Sequence, residues 1–316
     1  MPAVGIVLFA PNPGLDRTIA VDDHRLGHEH RARRTDLRAG GKAINVARAL
    51  RALGVDAPVV APVAGPTGDA MLALARAEGL TVDPVPCAGL TRSTLAVLDA
   101  GGVTVYNDSG FVPADDEAAA LERAVEAALG AGDLLVVAGS WPRGTPPDRL
   151  HAVVMAGRRA GARIVVDTSG RPLAAALRAG PDLVCPNLEE ARALLAEATG
   201  SLTMDSQAPL EAAAPVASAV RHQGSEAVVL SAGRAGAVLA DAEGTAAVPA
   251  PRVQASNPVG AGDCLVAALV AGCDAGRGLR ETLAWAVAVA SASCETFAAG
   301  DFDVERAREL AAVSAA

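Results

Sequence analysis

The sequence has almost no lysine and very few aromatic residues. Lysine and arginine together number 27, yet Lys42, in the segment GGKAIN, is the only lysine. Aromatic side chains make up 2% of the residues and hydrophobic ones 51%, so Ala, Val and Leu must build most of the core. Such small aliphatic side chains favour helices packed on a sheet. The single lysine, which follows two glycines and precedes an apolar run, needs its own explanation.

Other absences exclude several classes of protein. The five cysteines are scattered without a CxxC pair, which argues against a zinc site and predicts a reduced, cytoplasmic protein. No uncharged apolar run approaches about 18 residues, so we expect no membrane span, and the N-terminus lacks the basic residues of a signal peptide. A net charge of −9 argues against nucleic-acid binding, so an anionic ligand would need a local positive cluster.

Short apolar segments alternate with helical patterns along much of the chain. The segments bounded by turn residues indicate strands buried on both faces of a parallel sheet, at residues 4–10, 58–63, 133–139, 163–167, 182–186 and 227–231. Helices are predicted at residues 43–53, 68–78, 115–129, 147–160, 172–178 and 188–197. This alternation predicts an α/β fold with a three-layer, doubly wound, mostly parallel sheet.

Two segments, residues 17–39 and 93–108, interrupt this alternation. The second has alternating apolar residues around an Asp-Ala-Gly-Gly turn, which is typical of a β-hairpin. Because no helical pattern accompanies either segment, we predict that they form a small projecting β-sheet, a lid on a single domain of residues 1–316. If the edges of that sheet pair with a second copy, the protein would be a homodimer.

The strongest local signal is NPVGAGDCLVAALVAG at residues 257–272, where a glycine-rich turn leads into an apolar helix. Glycines let a ligand approach the backbone closely, and a helix start offers unpaired N–H groups that suit a phosphate. Asp263 lies at this start. On the local pattern alone, Asp263 is equally well explained as a helix N-cap. No Gly-Lys-Ser/Thr follows, so the segment is not a Walker A loop.

Four further segments place polar residues or glycines after predicted strands. They are NPGLDRTI with Asp16, AGGKAINVARAL with a second glycine-to-helix junction, CPNLEEA with Asn187 and Glu190, and SAGRAG with Ser231, Gly233 and Gly236. Open α/β sheets bind ligands at the carboxyl ends of their strands. Each segment alone is a weak signal, but the four in this order are specific.

With these segments in place, the chain resembles the ribokinase-like PfkB carbohydrate kinases over nearly its whole length. Within them it is similar to the 1-phosphofructokinase and tagatose-6-phosphate kinase branch. NPGLDRTI resembles the N-terminal signature of that branch, AGGKAINVARALRALGV its first motif, and GSWPRGTPPD its Gly-Ser-x-Pro-x-Gly stretch. NPVGAGDCLVAALVAG resembles the second family signature, which carries the catalytic aspartate.

The resemblance implies an ATP-dependent sugar-phosphate kinase with Asp263 as the general base. It implies that Gly260, Ala261 and Gly262 form the anion hole for the transferring phosphoryl group. Asn187 and Glu190 resemble the NxxE element that organises Mg²⁺ and the ATP phosphates, with Glu190 acting on the metal through water. The residues that would line the nucleotide are Ser231, Gly233 and Gly236.

On the sugar side, Asp16, Gly41 and Asn45 resemble positions that hold hydroxyl groups. Arg92 resembles the arginine that binds the substrate's own phosphate, and Arg143 is a second candidate. Lys42 is expected at the mouth of this pocket, on an exposed turn, where a flexible ammonium could follow a moving phosphate. The alternative is that Lys42 is an accident of composition. The remaining residues expected on this side are Asn107 and Ser140.

The sequence departs from the family pattern at Ala43, Cys264 and Cys185. Cys185 replaces a lysine that often precedes Pro-Asn of the NxxE element, which removes a positive charge near the nucleotide unless another residue such as Arg234 compensates. Fructose 1-phosphate is the leading substrate, with tagatose 6-phosphate and fructose 6-phosphate as alternatives. A non-catalytic sugar-phosphate-binding regulator is a second hypothesis. A nucleotide-dependent oxidoreductase is a weak third, because no GxGxxG opens the first βα unit.

Overall fold

The computed structural model of the chain describes residues 5–146, 148–199 and 210–314. Two residues of predicted elements, Val4 and Pro147, lie outside this part. The strands are β1 (Ile6–Phe9), β2 (Gly14–Ala20), β3 (Arg34–Gly40), β4 (Val59–Val63), β5 (Val82–Pro86), β6 (Arg92–Asp99), β7 (Gly102–Asn107), β8 (Leu134–Ala138), β9 (Arg163–Asp167), β10 (Leu183–Val184), β11 (Ala227–Ser231), β12 (Gly236–Asp241) and β13 (Gly244–Pro249). The helices are α1 (Lys42–Ala52), α2 (Gly65–Ala77), α3 (Asp115–Ala128), α4 (Asp148–Arg159), α5 (Gly170–Arg178), α6 (Leu188–Thr199), α7 (Ala213–Arg221), α8 (Ala261–Asp274), α9 (Leu279–Ser293) and α10 (Val304–Ser314).

Nine strands form one large sheet in the order β13-β12-β11-β10-β9-β8-β1-β4-β5. All neighbours are parallel except at one end, where β11, β12 and β13 pair antiparallel. The chain runs from β1 outward to β4 and β5, and then returns to place β8 on the other side of β1. This reversal confirms the predicted doubly wound topology, whose ligands bind at the carboxyl ends of the strands.

Alternating side chains of the large sheet supply two separate cores. On β1, Ile6 and Leu8 face one side, while Val7 and Phe9 face the other. The first core packs against α1, α2, α8, α9 and α10, and the second against α3 through α7. Because both faces are covered, the strands are continuous apolar runs, and the three-layer prediction is confirmed. None of the described helices combines the length and apolarity needed to cross a bilayer.

A separate four-stranded sheet has the order β3-β2-β6-β7. Its strands come from the two segments that interrupt the βα alternation, so the prediction of a small additional sheet is confirmed. β2 pairs antiparallel with β3 and parallel with β6, and β6 and β7 form the expected hairpin. β2 and β3 lie against α2, and β3 leads directly into α1. This sheet therefore delivers its residues to the edge where α1 begins.

Several elements were not predicted. β5 lies at the edge of the large sheet and carries Pro84 and Pro86, which are tolerated there because an edge strand has free N–H positions. The β12–β13 hairpin was also missed, since its alanine-rich strands have little intrinsic β preference. The six predicted strands and six predicted helices are all present, with ends shifted by a few residues.

Candidate active site

Asp263 is buried at the start of α8, with 5% of its surface exposed. The N-cap of this helix is Gly260, and no side chain caps it. Asp263 lies two residues inside the helix, and its Oδ2 accepts a hydrogen bond of 2.8 Å from Asn45 Nδ2. The interpretation of Asp263 as a simple N-cap is therefore wrong.

The backbone before Asp263 has the features of an anion site. Gly260 has a φ of 86°, and a side chain there would lie 2.6 Å from the backbone nitrogen of Gly300, so only glycine fits. A side chain at Gly262 would meet no heavy atom within 4 Å, so this part of the turn faces open space. Together with Ala261, these residues expose the positive end of a 14-residue helix.

Lys42 is not on an exposed turn, as the sequence suggested. It is the first residue of α1, and its Nζ lies 2.8 Å from Asp167 Oδ1 and 4.0 Å from Glu190 Oε1. Its side chain is 33% exposed, whereas that of Asp167 is 4% exposed. Burial opposes the charged ammonium, but the charges of Asp167, Glu190 and Asp263 outweigh it and raise the pKa of Lys42. Lys42 therefore lies against Asp167 and Glu190, although a third of its side chain stays exposed.

Asp167 is a candidate residue that sequence reasoning missed. It is the last residue of β9, at the carboxyl end of a central strand, where ligand-binding groups of such sheets collect. That position was the available signal. Its carboxylate is paired with Lys42, and the charges of both residues act on the buried thiol of Cys185, which follows β10. Burial raises the pKa of Cys185 and Lys42 opposes the rise, so Lys42 supplies positive charge where the family lysine is missing.

Asn187 and Glu190 cap α6 reciprocally. Asn187 N donates to Glu190 Oε2 at 2.9 Å, and Glu190 N donates to Asn187 Oδ1 at 2.8 Å, which is a capping-box arrangement. The other carboxylate oxygen of Glu190, Oε1, is the one that faces Lys42. Burial raises the pKa of Glu190, and Lys42 opposes that rise. The NxxE element thus has a structural role and also presents one oxygen to the site.

The other residues predicted to bind the nucleotide lie in and after β11, which is next to the Asn187–Glu190 segment. Ser231 ends β11 and forms a β-bridge with Asn187. Gly233 has a φ of 54° with open space at its Cβ position. Gly236 is required for another reason, since a side chain there would lie 2.0 Å from the carbonyl oxygen of Val248. Whether these residues line a nucleotide stays a prediction.

Asp16 presents a buried acceptor at the junction of the two sheets. It lies on β2, and its Oδ2 accepts a long hydrogen bond of 3.3 Å from the Gly41 N–H. Its Oδ1 is buried and has no hydrogen-bond partner among the described residues. A side chain at Gly40 would lie 2.0 Å from Asp16 Cγ, so glycine is required there. An unpaired buried oxygen of this kind is ready to accept from a ligand hydroxyl.

Arg92 on β6 lies opposite Gly14 of the parallel strand β2, and Thr94, two residues on, lies opposite Asp16. Its Nε donates to Asn12 O at 3.0 Å, and its Nη1 donates to Thr94 Oγ1 at 3.2 Å. Thr94 Oγ1 in turn donates to Asn107 Oδ1 at 3.3 Å. Asn107, a predicted substrate residue, is therefore linked to Arg92 through Thr94. Burial lowers the pKa of Arg92, and Asp16 opposes that change.

Two predicted substrate residues stand apart from this group. Ser140 and Arg143 are exposed in the loop that follows β8. Within the described ranges, no hydrogen bond or ion pair joins either of them to the groups around Asp263. They remain candidates only through their position at the carboxyl end of β8, next to β1.

Comparison with known proteins places these observations in a family. Residues 6–306 match the pfkB family of carbohydrate kinases. The chain is 31% identical over 286 residues to the 1-phosphofructokinase of Bacillus subtilis, covering 90% of each chain. It is 34% identical over 257 residues to the ATP-dependent 6-phosphofructokinase isozyme 2 of Escherichia coli, covering 80% of this chain and 81% of that one.

Solved structures of phosphofructokinase-2 from Escherichia coli have a similar fold. A tetrameric inhibited form superposes with a TM-score of 0.87 at 29% identity, and a complex with fructose 6-phosphate with a TM-score of 0.85 at 28% identity. Each alignment covers 99% of this chain and 100% of the other. The similarity therefore extends over both sheets.

The burial of Asp263 predicts an unusual effect of pH on stability. Burial raises the pKa of Asp263 to about 7, although Lys42 and the Asn45 hydrogen bond oppose the rise. The pKa of an aspartate in an unfolded chain is about 3.9. The folded protein thus holds the proton more tightly, so ionisation of Asp263 lowers stability as pH rises from about 4 to about 7.

Asp263→Asn cannot ionise and should escape this loss. We expect the melting temperature of the variant, relative to wild type, to be higher at about pH 8 than at about pH 5. Asp69→Asn, which removes an exposed carboxylate on α2, is the matched control. Its melting temperature should differ from that of wild type by the same amount at both pH values. The measurement is a thermal melt of wild type, Asp263→Asn and Asp69→Asn at both pH values. An equal difference at both pH values for Asp263→Asn would mean that this carboxyl titrates normally.

Proposed function

Because the chain belongs to the pfkB family of carbohydrate kinases, we propose that it phosphorylates fructose 1-phosphate with ATP to give fructose 1,6-bisphosphate. Membership makes it a phosphotransferase with an alcohol group as acceptor. The relative with the widest coverage reported above is named 1-phosphofructokinase, which favours this acceptor. Another is named 6-phosphofructokinase isozyme 2, so fructose 6-phosphate is the second candidate, followed by tagatose 6-phosphate.

The observation that carries this proposal is the buried carboxylate of Asp263 at the start of α8. In the reaction, the acceptor hydroxyl oxygen would form a bond to the γ-phosphorus of ATP, the bond from that phosphorus to the β,γ-bridging oxygen would break, ADP would leave, and the hydroxyl proton would pass to Asp263. A base of this kind works best with a pKa near the working pH, and burial moves Asp263 in that direction. Asn45 donates to the same carboxylate and so holds its orientation.

Charge on the transferring phosphoryl group would be stabilised by the first turn of α8 and by Lys42. Of the three predicted residues, Gly260 and Gly262 offer backbone N–H groups at the positive end of the helix, whereas the Ala261 N–H donates to Pro258 O at 3.3 Å. Lys42 lies near the carboxylate of Asp263 and carries a firmly held positive charge. Catalysis of phosphoryl transfer depends mostly on such positioning and charge stabilisation.

Asp167 and Glu190 are suited to hold Mg²⁺ with the nucleotide. Both present carboxylate oxygens, the ligands that this ion prefers, towards the cationic group of Lys42. The described residues contain no group of three or more metal-ligating side chains. Mg²⁺ usually keeps several waters and binds substrate phosphates, so two carboxylates fit its needs. When bound, the ion would neutralise phosphate charge.

The sugar phosphate would lie between the two sheets. The unpaired Oδ1 of Asp16 can accept from a sugar hydroxyl, with the Gly41 N–H bonded to its other oxygen. Asn45, which donates to Asp263, is the third residue proposed on this side. The Nη2 group of Arg92 has no hydrogen-bond acceptor among the described residues, so it is available to the substrate's phosphate. We propose that the four-stranded sheet acts as the lid of a single kinase domain, since β2 and β6 carry both of these residues.

The regulator hypothesis depended on the charge missing at Cys185. The charge of Lys42 opposes the rise in the pKa of that thiol, and the base and its hydrogen-bond partner are present. Neither observation favours a protein that binds sugar phosphate without turnover. Family membership likewise leaves no support for the oxidoreductase reading.

An ADP-release assay across a panel of sugars tests the proposal. We expect the highest kcat/KM for fructose 1-phosphate, lower values for fructose 6-phosphate and tagatose 6-phosphate, and little turnover of free fructose. Asp263→Asn is the control, and its kcat should fall by at least about 100-fold, as for loss of a general base. Absence of turnover with every phosphorylated sugar would refute the kinase function.

We also propose a cytoplasmic setting. All five cysteines are free thiols, which suits a reducing compartment. The net charge of −9 does not favour nucleic acid as a partner.

A homodimer through the lid sheet is proposed from its edges. β3 and β7 end the sheet and carry exposed apolar side chains, namely Leu37, Val105 and Tyr106. Unpaired edges with apolar residues favour pairing with another chain. Light scattering should give a dimer for wild type and a monomer for Leu37→Asp. A wild-type monomer, or a dimer that survives this change and Tyr106→Asp, would contradict the proposed interface.

Loss of Arg92 should weaken sugar-phosphate binding selectively. A hydrogen bond to a charged group is worth about 1.5–3 kcal/mol, and each 1.4 kcal/mol is about tenfold in affinity. Arg92→Ala should therefore raise KM for the sugar phosphate roughly ten- to a hundredfold and leave KM for ATP nearly unchanged. Arg143→Ala is the matched comparison, and steady-state kinetics of both variants decide which arginine binds the phosphate. Equal shifts in both KM values for Arg92→Ala would indicate a role in the fold.

Changes at Lys42 should separate its charge from its shape. Lys42→Met removes a charge that opposes the raised pKa of Asp263, so the acid limb of kcat/KM should move to higher pH. It also leaves the buried carboxylate of Asp167 without its partner, so the melting temperature should fall. Lys42→Arg keeps the charge but places a larger, fork-shaped group between Asp167 and Glu190.

We therefore expect Lys42→Arg to keep the wild-type acid limb while kcat/KM falls. The measurements are pH–rate profiles and thermal melts on both variants. Wild-type kinetics in Lys42→Arg would make the single lysine an accident of composition. An unmoved acid limb in Lys42→Met would remove Lys42 from the electrostatics of Asp263.

A further inference from the structure

A buried arginine, Arg48, lies behind Asn45, on the side away from Asp263. It lies one turn further along α1 and is 9% exposed. Its guanidinium donates to Asn45 Oδ1 at 2.8 Å, to Ala39 O at 2.6 Å and to Ala299 O at 3.3 Å. Both oxygens of Glu78 accept from it as well. These contacts engage all five N–H groups of an arginine, so Arg48 has none left to offer a substrate.

The Asn45 amide joins two groups of opposite hydrogen-bonding character. A guanidinium can only donate, and an ionised carboxylate can only accept. Asn45 meets both needs, since its Oδ1 accepts from Arg48 and its Nδ2 donates to Asp263 Oδ2, each at 2.8 Å. A flipped amide would set its oxygen against the carboxylate and its N–H groups against the guanidinium. Only one orientation of this side chain therefore fits.

The surrounding backbone leaves this chain of contacts little room to rearrange. A side chain at Gly300 would lie 2.8 Å from Asn45 Cβ, and one at Gly260 would lie 2.6 Å from Gly300 N. The start of α8, the loop after α9 and helix α1 are thus in direct backbone contact. Arg48 ties the same loop to α1 through Ala299 O, and it reaches the end of α2 through Glu78.

We propose that Arg48 is a positioning residue, which holds Asn45 Oδ1 so that Asn45 Nδ2 points at Asp263 and favours the ionised carboxylate. Arg48 touches neither substrate nor the reacting atoms, and it acts through Asn45. The inference rests on the proposed function in so far as Asp263 is the base of that reaction.

The other charged groups near Asp263 are Lys42, Asp167 and Asp16. Lys42 favours the ionised form of Asp263, whereas Asp167 and Asp16 oppose it. The hydrogen bonds of Arg48 go to none of these three. A change at Arg48 therefore reaches Asp263 through Asn45 or through loss of the arginine's own charge, and the choice of variants must separate these two routes.

Three variants make that separation. Arg48→Met keeps most of the side-chain length and removes the donors. Arg48→Lys keeps the charge but replaces the rigid fork by a single ammonium, which cannot bridge Asn45, Ala39 O and Glu78 together. Glu78→Gln is the matched control, because it removes the ion pair with Arg48 and leaves the contact with Asn45 in place.

The readout is the titration of the Asp263 carboxyl carbon, followed by NMR in protein labelled with ¹³C-aspartate and assigned with Asp263→Asn. We expect the midpoint to rise by about one pH unit in Arg48→Met, the size of one lost hydrogen bond to a charged group. Arg48→Lys should show a smaller rise and Glu78→Gln none. The acid limb of kcat/KM should move in parallel with the midpoint.

Melting temperatures should fall in both Arg48→Met and Glu78→Gln, so a loss of stability alone does not support the proposal. A wild-type titration midpoint of Asp263 in Arg48→Met would overturn the proposal. If the methionine variant does not fold, a wild-type midpoint in Arg48→Lys would overturn it instead. An equal rise in Glu78→Gln would also overturn it, since loosened packing would then be sufficient. The NMR titration needs no substrate, so a failure of the kinase function would be seen separately, as absent ADP release by wild type.

Discussion

The buried carboxylate of Asp263 is the group around which the site is organised. An ionised carboxylate removed from water is costly unless charges and hydrogen-bond donors replace the lost hydration. Here they come from Asn45 and Lys42, three residues apart on the first turn of α1, and from the positive end of α8. The two helices must therefore begin at the same place, and Gly260 and Gly300 allow this because side chains there would collide with neighbouring backbone.

Local patterns were sufficient to predict most of the large sheet. Strands such as β1 and β8 are buried on both faces, so each is an uninterrupted apolar run bounded by glycine or polar residues. Of the missed strands, β5 and β13 lack that pattern, whereas β12 has only a four-residue apolar run between Gly236 and Asp241. β5 carries two prolines at an edge, and the β12–β13 hairpin is rich in alanine and glycine, so pairing rather than composition makes them strands.

The site was predictable residue by residue, but its contacts were not. Asp263, Asn45 and Glu190 could each be singled out beside a glycine or a strand end. The bond from Asn45 to Asp263 joins residues 218 positions apart, and the pair of Lys42 and Asp167 spans 125 positions. Periodicity reports which face of an element is buried, and it carries no information about which strand end lies next to which helix. That is why Lys42 was expected on an exposed turn, and why Asp167 was missed.

The position of the single lysine now has a physical basis. At exposed sites lysine and arginine both remain solvated, so either can be used. At residue 42 the cation lies within 4.0 Å of two carboxylates at the first turn of a helix, where a compact ammonium fits more readily than a planar fork. Arg48 is surrounded instead by separate acceptors on Glu78, Asn45 and Ala39, which lie in different directions. Only a guanidinium offers enough donors in fixed directions to reach them all. The two cations of α1 therefore differ because the acceptors around them differ in number and arrangement.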